Sequence, residues 1–237
     1  MIYLAFLALS TTPFLTALAR SYVGTPEPPP SKATIVVPFW KEEYEHISKC
    51  VESLRKQNVV KEYPQFFEII GIGSDCEEAH RYAHLFDRVY VAPPGKLNAR
   101  DLGFRVARGD IVVSVDADTY YPPNVLNEML KPFKNSSVVA TTGATFMPLS
   151  PFMHPFYRLY YESRVLGRLS AVRKEVYFRV GGFNLTIDQT KWGELFEEEE
   201  VRFYNKLSKI GKVVYVDVIC FEVGRPTSWI RVASFYR

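Results

Sequence analysis

Two carboxylates in this sequence could bind a divalent metal ion. Asp116 and Asp118 follow the apolar run of residues 111–115 directly, with Ala117 between them. Neighbouring carboxylates repel each other and are difficult to desolvate unless a cation lies between them. Carboxylate and diphosphate oxygens are the ligands that Mg²⁺ and Mn²⁺ prefer. A solvated turn is the alternative, but the position at the end of a predicted strand favours a metal site.

A second group of residues could bind phosphate. Lys96 and Arg100 lie at the start of a predicted helix, directly after Gly95. The amino end of a helix carries partial positive charge, and nearby lysine and arginine side chains add to its attraction for phosphate oxygens. A capped surface helix with solvated charges is the alternative, which these residues by themselves leave open.

The elements that must position these residues alternate between strands and helices. Apolar, β-branched runs predict strands at residues 33–38, 66–72, 88–92 and 110–115. Helices are predicted around Ile47, Val51 and Leu54, over residues 98–107 and over residues 125–133. Strands that are apolar on both faces indicate an α/β fold with a doubly wound, mostly parallel sheet and helices on both faces. Such sheets bind ligands beyond the carboxyl ends of their strands.

The amino-terminal segment is a separate hydrophobic element. Residues 1–19 include no charged side chain, and as a helix they span roughly 28 Å, close to the hydrocarbon thickness of a bilayer. We expect a single-pass membrane anchor over residues 1–20 and a proline-rich linker over residues 21–32. A cleaved signal, or a helix packed on the domain or lying in the membrane interface, are the alternatives. Arg20 and Lys32 on the downstream side predict a cytoplasmic domain.

Composition excludes several classes of protein. The chain has 237 residues, of which 47% are hydrophobic, 23% charged and 15% aromatic, so it is neither disordered nor a coiled coil. A net charge of +3 is small for a protein that binds nucleic acid through phosphates, and no nucleic-acid partner is expected. Cys50, Cys76 and Cys220 show no C-x-x-C spacing, so no zinc site or disulfide scaffold is predicted.

Several motifs together resemble those of one enzyme family. They are the segments TIVVPFWKEE at 34–43, GKLNARDLGFRVARGDIVVSVDAD at 95–118, GRLSAVR at 167–173, VGGF at 180–183 and EEEE at 197–200. In this order and spacing they are similar to the motifs of family-2 glycosyltransferases, whose fold is called GT-A. The resemblance extends from residue 33 to residue 222.

The resemblance implies roles for the residues that match the motifs. Asp118 would hold a Mn²⁺ or Mg²⁺ ion that bridges the diphosphate of a nucleotide-sugar donor, and Asp116 would contact the ribose or support the metal. Pro38 and Glu43 would line the nucleotide pocket, and Lys96 and Arg100 would face the base or the diphosphate, with surface salt bridges as the alternative for these two.

The sequence departs from the family pattern at two positions. The family usually has an aspartate at the end of its second strand to bind the base, whereas here the nearest carboxylate is Asp75, after Gly73 and Ser74. The family's acidic Glu-Asp element is represented by Glu199 and Glu200. Glu200 is the predicted catalytic base and Glu199 the second candidate, while a solvated helix start is the alternative for the acidic run.

The carboxyl-terminal segment lacks the Q-x-x-R-W motif of processive synthases, which favours transfer of one sugar per encounter. We expect a glycosyltransferase domain over residues 33–224 and an amphipathic tail over residues 225–237, either docked on the domain or lying in the membrane interface.

The resemblance therefore implies a metal-dependent, inverting hexosyl-type glycosyltransferase, and the uncharged amino-terminal segment predicts that it is attached to a membrane. Its donor would be a UDP- or GDP-sugar, and its acceptor a hydroxyl of a glycan, a lipid or a protein. A catalytically silent module that binds nucleotide sugars at the membrane is the first alternative. A sugar-phosphate nucleotidyltransferase is the second, although the glycine-rich phosphate loop of that class is missing after the first strand.

Overall fold

The computed structural model describes residues 2–146, 169–186 and 194–223. The predicted tail at 225–237 and the first two residues of the GRLSAVR segment lie outside the described residues. Within the described part of the chain, eight strands form one sheet in the order β3-β2-β1-β4-β7-β6-β8-β5. The strands are β1 Ala33–Phe39, β2 Phe67–Gly73, β3 Arg88–Val91, β4 Ile111–Val115, β5 Thr119–Tyr120, β6 Val138–Phe146, β7 Leu169–Arg173 and β8 Lys212–Glu222.

The half of the sheet formed by β1 to β4 is parallel, as predicted. β1 pairs with β2 and with β4, and β2 pairs with β3, all in parallel register. Every residue of β1 and β4 is buried, because helices cover both faces of this half. Parallel neighbours end at the same edge of the sheet, so the segments after β1 and β4 meet there.

Six of the eight described strands run in the same direction, as a mostly parallel sheet predicts, and two strands in the other half of the sheet run in reverse. β7 runs antiparallel to both β4 and β6, and β5 runs antiparallel to β8, while β6 and β8 are parallel to each other. The sheet is therefore mixed. The physical reason is that β7 enters between β4 and β6 in the reverse direction, which strand composition does not encode.

Helices cover the two faces of the sheet. They are α1 Ile2–Tyr22, α2 Tyr44–Arg55, α3 Asn58–Glu62, α4 Cys76–Tyr82, α5 Lys96–Val106, α6 Val125–Leu130, α7 Lys174–Arg179 and α8 Glu194–Ser208, with short 3₁₀ helices at Pro64–Phe66, Ala83–Leu85 and Lys131–Lys134. One core contains apolar residues of α2, α4 and α6, and the other contains those of α5, α7 and α8. Alternate residues of β1 enter the two cores, Ile35 the first and Val36 the second.

The sequence anticipates β1 to β4 and the helices α2, α5 and α6 to within a few residues, whereas β5 to β8 were not predicted. The apolar stripe of Ile47, Val51 and Leu54 is buried on α2, as predicted. The helix predicted over 125–133 is divided, because α6 ends at Leu130 and a 3₁₀ turn containing Pro132 continues from Lys131. Proline lacks the N–H that an α-helical continuation would need.

The carboxyl-terminal half of α1 belongs to the domain. Ala17 packs against Ile219 of β8, and both are fully buried. The Ser21 hydroxyl donates to the carbonyl of Ala17 and accepts a hydrogen bond from the backbone N–H of Ile219 at 2.8 Å. Of the three alternatives for the amino-terminal segment, packing on the domain therefore describes this half of the helix.

A search of the described residues finds no helix with both the length and the apolar character that crossing a bilayer requires. The transmembrane anchor expected over residues 1–20 is thus not shown, and membrane attachment and a cytoplasmic domain stay predictions.

Candidate active site

The predicted acid pair lies at the carboxyl edge of the parallel half-sheet. Asp116 follows the last residue of β4, and Trp40 follows the last residue of the parallel neighbour β1. α5, which carries the predicted phosphate-binding cations, starts after β3 at the same edge. Strand direction thus brings together three segments that are far apart in the sequence.

Asp116 is held by the two cations that the sequence singled out. Its Oδ1 atom is 2.8 Å from Nζ of Lys96 and 3.2 Å from Nη2 of Arg100. Arg100 is completely buried, while the Lys96 side chain keeps 22% of its surface exposed. Neither cation is therefore a solvated surface charge. Lysine and arginine side chains held at the amino end of a helix are groups that suit a phosphate ligand.

Two glycines let α5 take this position. Gly95 precedes the helix with a φ of 128°, a conformation that favours glycine, and so turns the chain from β3 into α5. A Cβ atom on Gly103 would lie 2.4 Å from a methyl carbon of Val36. Any side chain at Gly103 would therefore push α5 away from β1 and move Lys96 and Arg100 away from Asp116.

One residue from each predicted acidic element affects the pKa of Lys96. Burial lowers the pKa of Lys96 below its ordinary value, and the neighbouring Arg100 charge acts in the same direction. The charges of Asp116 and Glu200 oppose that shift. Glu200 therefore lies in the electrostatic surroundings of Lys96, whose ammonium group also contacts Asp116 of the acid pair.

Asp118 is buried in the turn directly before β5. It is only 7% exposed, and its backbone carbonyl accepts a hydrogen bond of 2.7 Å from the N–H of Val223, just after β8. Thr119 and Tyr120, the next two residues, form β5 and pair with the end of β8. The carboxylate of Asp118 is thus carried by a segment fixed to the sheet rather than by the solvated turn that was the alternative.

The donor set after β4 fits a hard divalent ion that also binds a diphosphate. Among the residues that the structure describes, no group of three or more His, Cys, Asp or Glu side chains could hold a metal by itself. Two carboxylates leave most coordination positions to phosphate oxygens and water. Mg²⁺ is bound in this way at phosphate-transfer sites, and Mn²⁺ accepts the same oxygen ligands.

The two glutamates of the acidic element have different surroundings. Glu199 is 1% exposed and pairs with Arg202, at 2.5 Å to Nε and 2.8 Å to Nη2. Its Oε1 atom also accepts a hydrogen bond of 2.8 Å from the N–H of Asn184. Both oxygens of Glu199 are therefore engaged in structural contacts. Glu200, 5% exposed and close to Lys96, stays the predicted base, and Glu199 is better suited to positioning it.

The other three predicted binding residues lie in β1 and at the starts of α2 and α4. Pro38 is buried within β1, and Glu43 is the exposed N-cap residue of α2, 3.8 Å from His46. Asp75 caps α4 by accepting a hydrogen bond of 2.9 Å from the N–H of Glu78. The structure thus gives Asp75 a structural role, and its contact with a base, like those of Pro38 and Glu43, stays a prediction.

Several residues at the site were missed in the sequence. Trp40 is 46% exposed at the end of β1, with the Lys41 ammonium 4.8 Å from its ring centre, and an aromatic residue directly after a strand was the available signal. Gln57 and Tyr121 are buried and hydrogen-bonded to the segment that carries the acid pair. No motif marks these two residues, because their role depends on tertiary contacts.

The family of the chain is established by comparison with known sequences. Residues 34–188, more than half of the chain, match Glycosyl transferase family 2. A hyaluronan synthase of Streptococcus pyogenes serotype M3 is 29% identical over 142 residues, which make up 54% of this chain and 32% of the synthase. An N-acetylglucosaminyltransferase of Sinorhizobium fredii is 26% identical over 152 residues, 60% of this chain and 35% of that protein. The chain spans about a third of the length of these curated relatives.

Solved structures show the same fold. A mannosyltransferase from Pyrobaculum calidifontis in complex with GDP-Man and Mn²⁺ has a TM-score of 0.62 at 19% identity, covering 97% of this chain and 70% of that one. GalNAc-T7 with UDP, GalNAc and Mn²⁺ has a TM-score of 0.61 at 18% identity, covering 84% and 45%. At such identities the likeness concerns the fold alone. Together with the sequence match, it shows that this chain belongs to Glycosyl transferase family 2 and has the GT-A fold.

Proposed function

We propose that the chain transfers a sugar from a nucleotide-sugar donor to the hydroxyl group of an acceptor. The observation that carries this proposal is the meeting of three elements at one edge of the sheet. The acid pair after β4, the cations of α5 and the buried Glu200 of α8 share one electrostatic environment in a chain of this family.

The donor diphosphate would bind beside the cations and the acid pair. Lys96 and Arg100 would attract the phosphate oxygens, and Asp118 and Asp116 would hold a Mn²⁺ or Mg²⁺ ion. Asp118 is the first candidate ligand, because it is the second acid of the D-x-D motif, which holds the metal in the family that the sequence resembles. A bound divalent ion would supply Lewis-acid stabilisation of the negative charge that forms on the departing diphosphate.

Glu200 would act as the general base. As the acceptor oxygen bonds to the anomeric carbon, the Glu200 carboxylate takes up the hydroxyl proton, and the electron pair of the bond from that carbon to phosphate oxygen leaves with the diphosphate. Lys96 and Arg100 neutralise part of the charge left on the diphosphate. Attack from the side opposite the diphosphate would invert the anomeric configuration.

The names of the relatives and structural neighbours support a proposal for the class of sugar. One relative is a hyaluronan synthase and another is an N-acetylglucosaminyltransferase. The structural neighbours were solved with GDP-Man and with UDP and GalNAc. We therefore propose hexosyl transfer from a UDP- or GDP-sugar to a hydroxyl of a glycan acceptor, with lipid and protein hydroxyls as further acceptors to be tested.

A donor screen tests the proposal. The melting temperature of the 237-residue chain would be measured with UDP- and GDP-sugars, each with and without Mn²⁺, because a ligand that binds the native state raises it. The proposal predicts that at least one donor stabilises the protein in a Mn²⁺-dependent way and is then turned over with a glycan acceptor. Stabilisation without hydrolysis or transfer would favour the silent binding module, and pyrophosphate release from a nucleoside triphosphate would favour the nucleotidyltransferase.

A further inference from the structure

The segment that carries the acid pair is fixed through almost every backbone position. The Tyr121 hydroxyl accepts a hydrogen bond of 2.9 Å from the N–H of Asp116 and donates one of 3.2 Å to the carbonyl of the same residue. The thiol of Cys50 contacts that carbonyl at 3.4 Å. One tyrosine side chain thus holds both backbone groups of Asp116 from five residues further along the chain.

The far end of the segment is held by α2 and the residues after it. The Gln57 amide nitrogen donates to the carbonyls of Tyr121 and Pro122, at 2.8 and 2.7 Å, and its oxygen accepts from the N–H of Leu126. Ser53 accepts a hydrogen bond of 3.1 Å from the N–H of Tyr121. Gln57 is fully buried and Tyr121 is 1% exposed, so water does not compete for these contacts.

We infer that Tyr121, Ser53 and Gln57 form a brace whose function is to position the acid pair for metal binding. These three are positioning residues, since none of them would itself be a ligand. The inference rests on the proposed function, because it assigns the brace to the divalent-metal site that Asp116 and Asp118 would form with a diphosphate.

The orientation of the two carboxylates governs how tightly they can bind a metal ion. A metal site of only two carboxylates and a diphosphate depends on how closely the carboxylates are held in the binding orientation, since few other ligands correct an error. Hydrogen bonds from outside the ligand sphere supply that orientation, and their loss typically lowers metal affinity about 10–100-fold. The brace reaches the backbone of Asp116 directly and fixes the turn that follows Asp118.

The test variant is Tyr121→Phe, which removes one hydroxyl and keeps the buried ring. Binding of Mn²⁺ would be followed by the electron paramagnetic resonance signal of unbound Mn²⁺, with UDP or GDP present and a protein-free nucleotide blank. We expect the Mn²⁺ affinity of the ternary complex to fall about tenfold or more, and turnover to recover at high Mn²⁺. The circular dichroism spectrum should match that of the wild type.

Two further variants make the result specific. Tyr177→Phe removes the hydroxyl of another buried tyrosine, which donates to Asp101 on the α5 side of the sheet, and it should leave Mn²⁺ affinity unchanged. Ser53→Ala removes the acceptor of the Tyr121 N–H, and it should lower the affinity less than Tyr121→Phe does.

The inference is overturned if Tyr121→Phe lowers only the melting temperature and binds Mn²⁺ as tightly as the wild type. It is equally overturned if Tyr177→Phe weakens Mn²⁺ binding to the same extent. In both cases a wild type that binds Mn²⁺ and nucleotide leaves the proposed function standing. A wild type that binds neither would remove the proposed function together with the brace.

Discussion

The two acid pairs of the site are positioned in different ways. Asp116 is paired with Lys96 and Arg100 of α5, and its backbone is held by Tyr121. Glu199 is paired with Arg202, three residues along the same helix, and accepts from the N–H of Asn184. The aspartate pair thus depends on several elements of the sheet, and the glutamate pair on its own helix and one neighbouring turn.

The two carboxylates of each pair have different surroundings, which bears on their roles. Asp116 is paired with two cations, and Glu199 is paired with Arg202. The second carboxylate of each pair is buried, Asp118 at 7% and Glu200 at 5% exposure. We propose that Asp118 is the principal metal ligand and Glu200 the base, and that Asp116, a second ligand, and Glu199 help to orient them. Because the supports differ, damage to the support of one pair should leave the other pair intact.

The largest expected effect is at Asp118. Asp118→Asn keeps the size of the side chain and removes the negative charge, so we expect transfer to fall by at least about 10²-fold while the fold survives. Transfer rates at saturating Mn²⁺ and the circular dichroism spectrum would measure the two effects. Asp110→Asn, exposed at the other end of β4, is the matched control and should transfer normally.

Asp116→Asn should lose as much transfer as Asp118→Asn or less. A rate for Asp118→Asn near that of the wild type would remove the metal assignment, and a much larger loss at Asp116 would reverse the roles of the two aspartates.

The next largest effect is expected at Glu200. Glu200→Gln keeps the shape of the side chain and removes its basicity, so turnover should fall about 10²–10⁴-fold with donor affinity nearly unchanged. Glu198→Gln, at an exposed position two residues earlier, is the matched control, and Glu197→Gln should also have little effect. Turnover and donor binding would be measured on the same preparations. Equal losses in Glu198→Gln and Glu200→Gln would contradict the assignment of the base.

A smaller effect is expected at Glu199. Glu199→Gln weakens the contacts with Arg202 and Asn184 and leaves buried polar groups poorly paired, which should lower the free energy of unfolding by about 1–3 kcal/mol. Turnover should fall less than in Glu200→Gln, with Mn²⁺ affinity unchanged. Chemical unfolding and Mn²⁺ titration check these two expectations. A turnover loss as deep as that of Glu200→Gln without loss of stability would instead make Glu199 the base.

The smallest effect is expected at a remote support of the aspartate pair. The backbone carbonyl of Ser21 accepts from the N–H of Asn124, just after the acid-pair segment, and the Ser21 hydroxyl accepts from Ile219. Ser21→Ala removes only the second contact, so stability should fall by about 1 kcal/mol with normal Mn²⁺ affinity. Exposed Ser208 on α8 offers the control, Ser208→Ala. No stability change in Ser21→Ala would mean that α1 contributes little to the domain.

Local pattern was sufficient to predict the parallel half of the fold. Residues 33–38 and 111–115 are continuous apolar runs between turn residues, so their strands and the acid pair after them follow from sequence. The half of the sheet formed by β5 to β8 does not follow from such patterns. No strand was predicted after residue 115, although Val138 and Val139 begin an apolar, β-branched run, and strand direction is set by pairing partners rather than by composition.

The sequence likewise predicts the charged residues of the site but not the residues that support them. Asp116, Lys96 and Arg100 could be named from type and spacing, and the structure brings them into contact. The supports of the pairs could not be named, since Gln57 reaches residues 64 and 65 positions away and Asn184 meets Glu199 across 15 residues. Such contacts depend on the assembled sheet and helices.

One measurement tests the central claim most directly. Release of nucleoside diphosphate from the stabilising donor, with a glycan acceptor present, would be compared in Mn²⁺ and in excess chelator. We expect release with Mn²⁺, its loss with chelator and its recovery when Mn²⁺ is restored, with Asp118→Asn inactive throughout. Release that continues unchanged in chelator, or that is equal in Asp118→Asn and the wild type, would contradict a metal-dependent sugar transfer at this acid pair.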